Sequence, residues 1–171
     1  MRRVTNEELK TCFDGIRTGD KRAFAAMYHE MKTPVYTVVL RIVGSREAAE
    51  DVTQELFLRL FKLPPDPSVQ NLRAWIFQIA RNLAIDERRK GRETAVLGDV
   101  TIPATERDLD TALDVERALT TLPLDDREVV ILHLNAGLNF REIAEITGLS
   151  LPAVYRRYRR ALKTLEKMLK G

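Results

Sequence analysis

The chain has 171 residues, 44% of them hydrophobic and 31% charged, with a net charge of +3. That suits a soluble chain with enough apolar mass for one ordinary domain or two small ones. A single cysteine, Cys12, and two histidines, His29 and His133, exclude an intrachain disulfide framework, a cysteine-rich zinc site and the usual histidine-based metal centres.

Aromatics at 6%, with 8 Gly and 7 Pro, disfavour an all-β sandwich, and the Ala-, Leu-, Glu- and Arg-rich runs favour helix. The start, Met1-Arg2-Arg3-Val4-Thr5, lacks a signal peptide's apolar stretch. No apolar run approaches the roughly 20 residues of a membrane span. The expected compartment is the cytoplasm, without membrane insertion.

Thr5 and Glu8 have capping-box spacing ahead of Leu9, Phe13 and Ile16, which predicts a first helix ending near Gly19. Asp20 caps a second carrying Phe24, Met27, Tyr28 and Met31; Pro34 is expected to kink or interrupt it before Val35, Val38, Val39 and Ile42. Gly44 and Ser45 end that helix and cap the next, from about Arg46 to Lys62. Its apolar stripe is Ala49, Val52, Leu56 and Leu60, and Asp51, Gln54 and Glu55 lie on an acidic, amide-bearing face. Three prolines between Leu63 and Ser68 forbid helix. Asn71 caps a long helix with Leu72, Ile76, Ile79 and Leu83, ending in Arg88-Arg89-Lys90-Gly91-Arg92.

Residues 93–108 lose the helical period and read as an acidic linker. From Glu93 to Asp114 there are six acids and one base, Arg107. Beyond it, Leu109, Leu113, Ala118, Leu119 and Leu122 mark a helix stopped by Pro123. Asp125 and Asp126 open another, where carboxylates suit the positive dipole end, and Gly137 is its expected C-cap. Asn139 and Glu142 have capping spacing before a short helix closed by Gly148. Ser150 caps a last helix, about Leu151 to Leu169. The fold class is therefore all-α, two small helical domains joined by an acidic linker.

Three constellations carry chemistry. Phe140 to Leu162 makes a helix-turn-helix, whose second helix presents Ala153, Tyr155, Arg156, Arg157 and Arg160. Arginine forks of this kind reach guanine edges or phosphates; the bland alternative is a helical hairpin with a charged face. Between Arg156 and Lys170 there are seven Lys/Arg and one acid, as a helix meeting a polyanion requires. On the helix from Asn71, Trp75, Arg81, Asn82, Arg88 and Arg89 combine an aromatic ring, an amide and cations suited to unpaired bases, although such rings are more often core. The third is the Asp51, Gln54, Glu55 face, which alone reads as a solvated surface.

Taken together, Glu50 to Phe61, Asn71 to Asp86 and Leu119 to Leu165, in that order, resemble the sigma-70 family of bacterial RNA polymerase sigma factors, in its extracytoplasmic-function group. The resemblance implies region 2 over residues 1–92 and region 4 over 109–171. Asp51, Gln54 and Glu55 would dock on the core polymerase. Trp75, Arg81, Asn82, Arg88 and Arg89 would hold the opened −10 strand, and the loop from Leu63 to Gln70 would capture a flipped base. Ala153, Tyr155, Arg156, Arg157 and Arg160 would read the −35 element in duplex DNA.

The implied partners are core RNA polymerase, promoter DNA and an anti-sigma factor. No catalytic residue, metal or cofactor is implied. The recognition helix departs from the family's common Gly-Thr-Val-Lys-Ser-Arg-like stretch, with Pro152-Ala153-Val154-Tyr155-Arg156-Arg157 in its place, so the promoter sequence does not carry over. Two other classes stay open: a DNA-binding regulator that uses only the helix-turn-helix, and a recombinase with Tyr155 or Tyr158 as nucleophile. Thr53 lies on the proposed polymerase face, where phosphorylation would add charge, although a buried or merely exposed threonine is the commoner reading.

Overall fold

A computed structural model describes residues 2–94 and 111–170. Eight helices occur among the described residues: α1 (Asn6–Arg17), α2 (Lys21–Val43), α3 (Arg46–Lys62), α4 (Leu72–Thr94), α5 (Thr111–Thr121), α6 (Leu124–Leu134), α7 (Phe140–Thr147) and α8 (Leu151–Lys170). The chain divides into two compact units, Met1–Val100 and Thr101–Gly171. The expected linker, 93–108, falls outside the described residues apart from the end of α4, as does Leu109.

In the first unit, local signals fix the helix ends. Thr5 and Glu8 form a reciprocal capping box, with hydrogen bonds of 3.2 Å and 2.9 Å. Asp20 caps α2, Ser45 caps α3, and Gly44 closes α2 in the left-handed conformation at φ 76°. Asn71 accepts from the Ala74 amide at 3.0 Å, and Asn6 from α1 accepts from the Arg73 amide at 3.0 Å, so two helices share one cap. Helix α2 packs against α1, α3 and α4 and forms the centre of the bundle. Its core includes Leu9, Phe13, Met27, Met31, Leu56, Leu60, Ile76 and Phe77. Gly15 permits the α1–α2 approach, because a Cβ there would lie 2.6 Å from that of Ala23.

Pro34 does not interrupt α2, which runs unbroken from Lys21 to Val43. A mid-helix proline costs about 3 kcal/mol. Burial of Met27, Met31, Val35, Val38, Val39 and Ile42 along one helix offsets that, at about 1.5–3 kcal/mol for each large side chain.

In the second unit, α8 packs on α5, α6 and α7. Leu119, Leu122, Val130 and Ala161 form one buried cluster, with Tyr158 and Leu165 against it. Arg127 donates to the carbonyls of Thr120 and Leu122 at 2.7 and 3.1 Å, satisfying the end of α5. Helix α6 ends at Leu134 with Asn135 as its C-cap, and Gly137 adopts its left-handed conformation two residues later. Asn139 and Glu142 form the second capping box. Gly148, at φ 72°, makes the left-handed turn into α8, and Ser150 accepts from the Ala153 amide at 3.3 Å.

Candidate protein and nucleic-acid interfaces

Asp51, Gln54 and Glu55 lie together on the exposed side of α3, because Val52, Thr53, Leu56 and Phe57 turn inward. Glu55 pairs with Arg59 at 2.5 Å one turn on. Leu58, 50% exposed, extends the same stripe at i+7 from Asp51. Its place off the Val52–Leu56–Leu60 stripe is the signal in the sequence for that exposure. Thr53 is buried and its hydroxyl has no hydrogen-bond partner among the described residues, so it offers no accessible side chain.

Helix α4 places Trp75, Asn82 and Arg89 at intervals of seven, on one stripe, with Arg81 and Arg88 on the adjacent one. Asn82 and Arg89 are exposed, whereas Arg81 and Arg88 are half-buried. Trp75 is also half-buried, and its ring meets Phe13 edge to face at 6.3 Å. The loop between α3 and α4 is built on Asp66, whose carboxylate accepts from the Ser68 amide at 2.8 Å. The Arg17 guanidinium donates to the Pro65 carbonyl and pairs with Asp14 at 2.7 Å, tying that loop to α1.

Hydrogen bonds from the Ser68 side chain and amide hold the Asp66 carboxyl below its ordinary value of 3.8, and Arg17 adds a smaller attraction. A depressed carboxyl pKa stabilises the turn fully above the unfolded value and stops doing so as pH falls through the folded one. In an acid titration followed by carboxyl-carbon NMR, Asp66 is expected to titrate below 3.8, and Ser68→Ala to return it upward. An unchanged midpoint in that variant would remove the Ser68 hydroxyl as a cause and leave the backbone amide of residue 68.

Helix α8 presents Arg156, Arg159 and Lys163 to solvent as one basic ridge. Arg159 escaped the sequence reading, although its i+3 spacing from Arg156 was the available signal. Arg157 is half-buried and lies 3.3 Å from Asp125, and Arg160 pairs with Asp126 at 2.6 Å. Asp126 lifts the Arg160 guanidinium further above its already high range, first by hydrogen bonding and then by charge. Ala153 is half-buried in the first turn. Tyr155 is exposed yet packs on Phe140 at 4.7 Å; Tyr158 packs on the same ring at 5.0 Å and edge-on to His133 at 5.2 Å. These rings brace α8 against the start of α7, a packing role for both tyrosines.

Among the described residues, no helix is long and apolar enough to cross a membrane. The first unit carries an acidic helix face and the second a helix-turn-helix whose last helix bears a basic ridge, the arrangement of a DNA-binding protein. The model of sigma-70 region 2 matches residues 27–94, and that of sigma-70 region 4 matches residues 112–165. The chain belongs to the sigma-70 family of RNA polymerase sigma factors, in the extracytoplasmic-function group.

The sigma factor SigL of Mycobacterium tuberculosis is 30% identical over 161 residues, covering 88% of this chain and 91% of the relative. SigW of Bacillus subtilis is 26% identical over 182 residues, covering 95% and 97%. Both relatives bear the description ECF RNA polymerase sigma factor. Among solved structures, the sigma factor RpoE of Bartonella quintana, in complex with the anti-sigma factor NepR, is similar with a TM-score of 0.68 and 26% identity, covering 86% of this chain and 96% of that one. CnrH, in complex with the cytosolic domain of CnrY, shares the fold at a TM-score of 0.70 and 23% identity.

Proposed function

We propose that this chain binds bacterial core RNA polymerase, directs it to specific promoters and helps open them for transcription initiation. The observation that carries the reading is the presence of both sigma-70 modules, in order, on one chain. Residues 1–92 form the core- and −10-binding domain, and residues 109–171 the −35-binding domain, with 93–108 between them.

Asp51, Gln54 and Glu55 present carboxylates and an amide to a basic surface of the polymerase, where complementary charge selects the partner. Arg156 and its neighbours on α8 enter the major groove. Trp75, Arg81, Asn82, Arg88 and Arg89 line the helix that follows the 63–70 loop and hold the melted strand. Unstacking a base costs a few kcal/mol, which contacts to polymerase and to captured bases offset. The chain acts by binding, without a catalytic step of its own, in the cytoplasm where polymerase and promoter meet. An anti-sigma factor is a further partner, as a solved relative is seen in complex with one.

The test is binding of the purified chain to core polymerase, wild type beside Asp51→Arg. The charge reversal is expected to weaken binding by about tenfold or more, because like charges facing each other cost several kcal/mol. Asp51 is exposed, so the variant is expected to keep its fold. Wild-type protein that fails to bind core while still binding DNA would favour the stand-alone regulator.

A further inference from the structure

Arg160 belongs by sequence to the basic ridge of α8, yet the edge of its guanidinium that faces the protein is occupied. Its Nε and Nη2 each lie 2.6 Å from an oxygen of Asp126. The carboxylate is 1% exposed and the arginine side chain 64% exposed, so a buried anion is covered by a cation at the surface. One turn earlier on α8, Arg157 lies 3.3 Å from Asp125. Two adjacent acids in the first turn of α6 thus grip two arginines one turn apart on α8.

This grip does something the apolar core cannot. Hydrophobic packing is non-directional, whereas a two-pronged arginine–carboxylate fork has a fixed geometry. It adds a directional constraint on the rotation of α8 to the one that buried Val154 and Ala161 and the Phe140 ring contacts impose. Arg156 precedes Arg160 by four residues, on the same side of the helix. It is exposed and has no ion pair among the described residues. The Nε–Nη2 edge of Arg160 has no such freedom, because swinging it towards DNA would strip the partner from a buried charge.

We propose that Asp126 is a positioning residue for promoter reading: through Arg160 it sets the rotation of α8, and with it the direction in which Arg156 meets DNA, while Arg160 itself touches neither base nor phosphate. The inference rests on α8 being the recognition helix.

The experiment uses holoenzyme assembled from the full chain and core polymerase. The probe is a duplex that wild-type holoenzyme selects from a random-sequence pool. Binding is followed over a salt series for Asp126→Asn, Arg160→Gln, Arg156→Ala and the double variant Asp126→Leu, Arg160→Met. The double variant leaves no orphaned charge: Leu fills the buried site of Asp126, and Met stands at the exposed site of Arg160.

Asp126→Asn and the double variant are each expected to weaken binding about tenfold, the size of one good base contact, and to blur the preference among −35 sequences. Their salt dependence should match wild type. Arg156→Ala should lose either the preference at one base pair or about 0.9 of the salt slope, the share of one phosphate. A slope reduced by about 0.9 in the double variant would make Arg160 a phosphate contact and overturn the proposal. So would wild-type affinity and preference in Asp126→Asn. Arg156→Ala that left affinity, slope and preference unchanged would instead remove α8 as the reading helix, and the proposal with it; that residue lies outside the grip, so the two failures are distinct.

Discussion

Phe77→Ala is expected to lower the stability of the first unit by about 3–5 kcal/mol, the range for truncating a buried aromatic side chain. Phe77 is fully buried on α4, within the bundle that α2 centres, and the Arg73 guanidinium lies over its ring at 5.2 Å. The substitution removes the ring's transfer free energy and leaves a cavity that helices held by their other side chains fill only in part. It also takes away the face on which Arg73 rests. Small domains hold about 5–15 kcal/mol in total, so this one change consumes a large part of that margin. Urea unfolding followed by circular dichroism reads the loss as a lower midpoint at constant slope. Leu58→Ala is the control, since Leu58 is half exposed and surface changes usually stay within about 0.5 kcal/mol. A Phe77→Ala loss no larger than that of Leu58→Ala would show that the α4 core is not where the unit's stability resides.

Features with a local cause were legible in the sequence. The Thr5–Glu8 and Asn139–Glu142 boxes each span three residues, and both form as their spacing predicts. Gly148 turns the chain between α7 and α8 because it alone tolerates the left-handed conformation there without strain. The acidic stripe on α3 was legible for the same reason, since helical periodicity alone brings Asp51, Gln54 and Glu55 together.

Features decided by distant residues were not. Pro34 stays inside α2 because three other helices bury the apolar face on either side of it, and no window around the proline contains that information. Arg156, Arg157 and Arg160 look alike along the chain. What separates them is Asp125 and Asp126, more than thirty positions away and in reach only once α6 and α8 have packed. The same holds for Trp75, whose exposure depends on Phe13 in α1.

The second large effect is expected from Val154→Asp. Val154 is fully buried on α8, in a unit whose interior also holds Ile131, Leu132, Leu138 and Ile143. A carboxylate placed there would be either ionised without a partner or protonated at the cost of a raised pKa. Losses above about 4 kcal/mol arise from this kind of change, enough to unfold the second unit. Binding to a −35 duplex should disappear with it. Binding to core polymerase should survive better than in Asp51→Arg, because α3 lies in a unit with its own core. Chemical-shift mapping should show Val154→Asp collapsing the signals of α6 to α8 while leaving those of α1 to α4 in place. The two variants together then separate the tasks: one weakens polymerase docking and keeps duplex binding, the other loses duplex binding and keeps more of the docking. If Val154→Asp abolished polymerase binding as fully as Asp51→Arg, the acidic face of α3 could not be the main docking surface, and the second unit would have to supply contacts of equal weight.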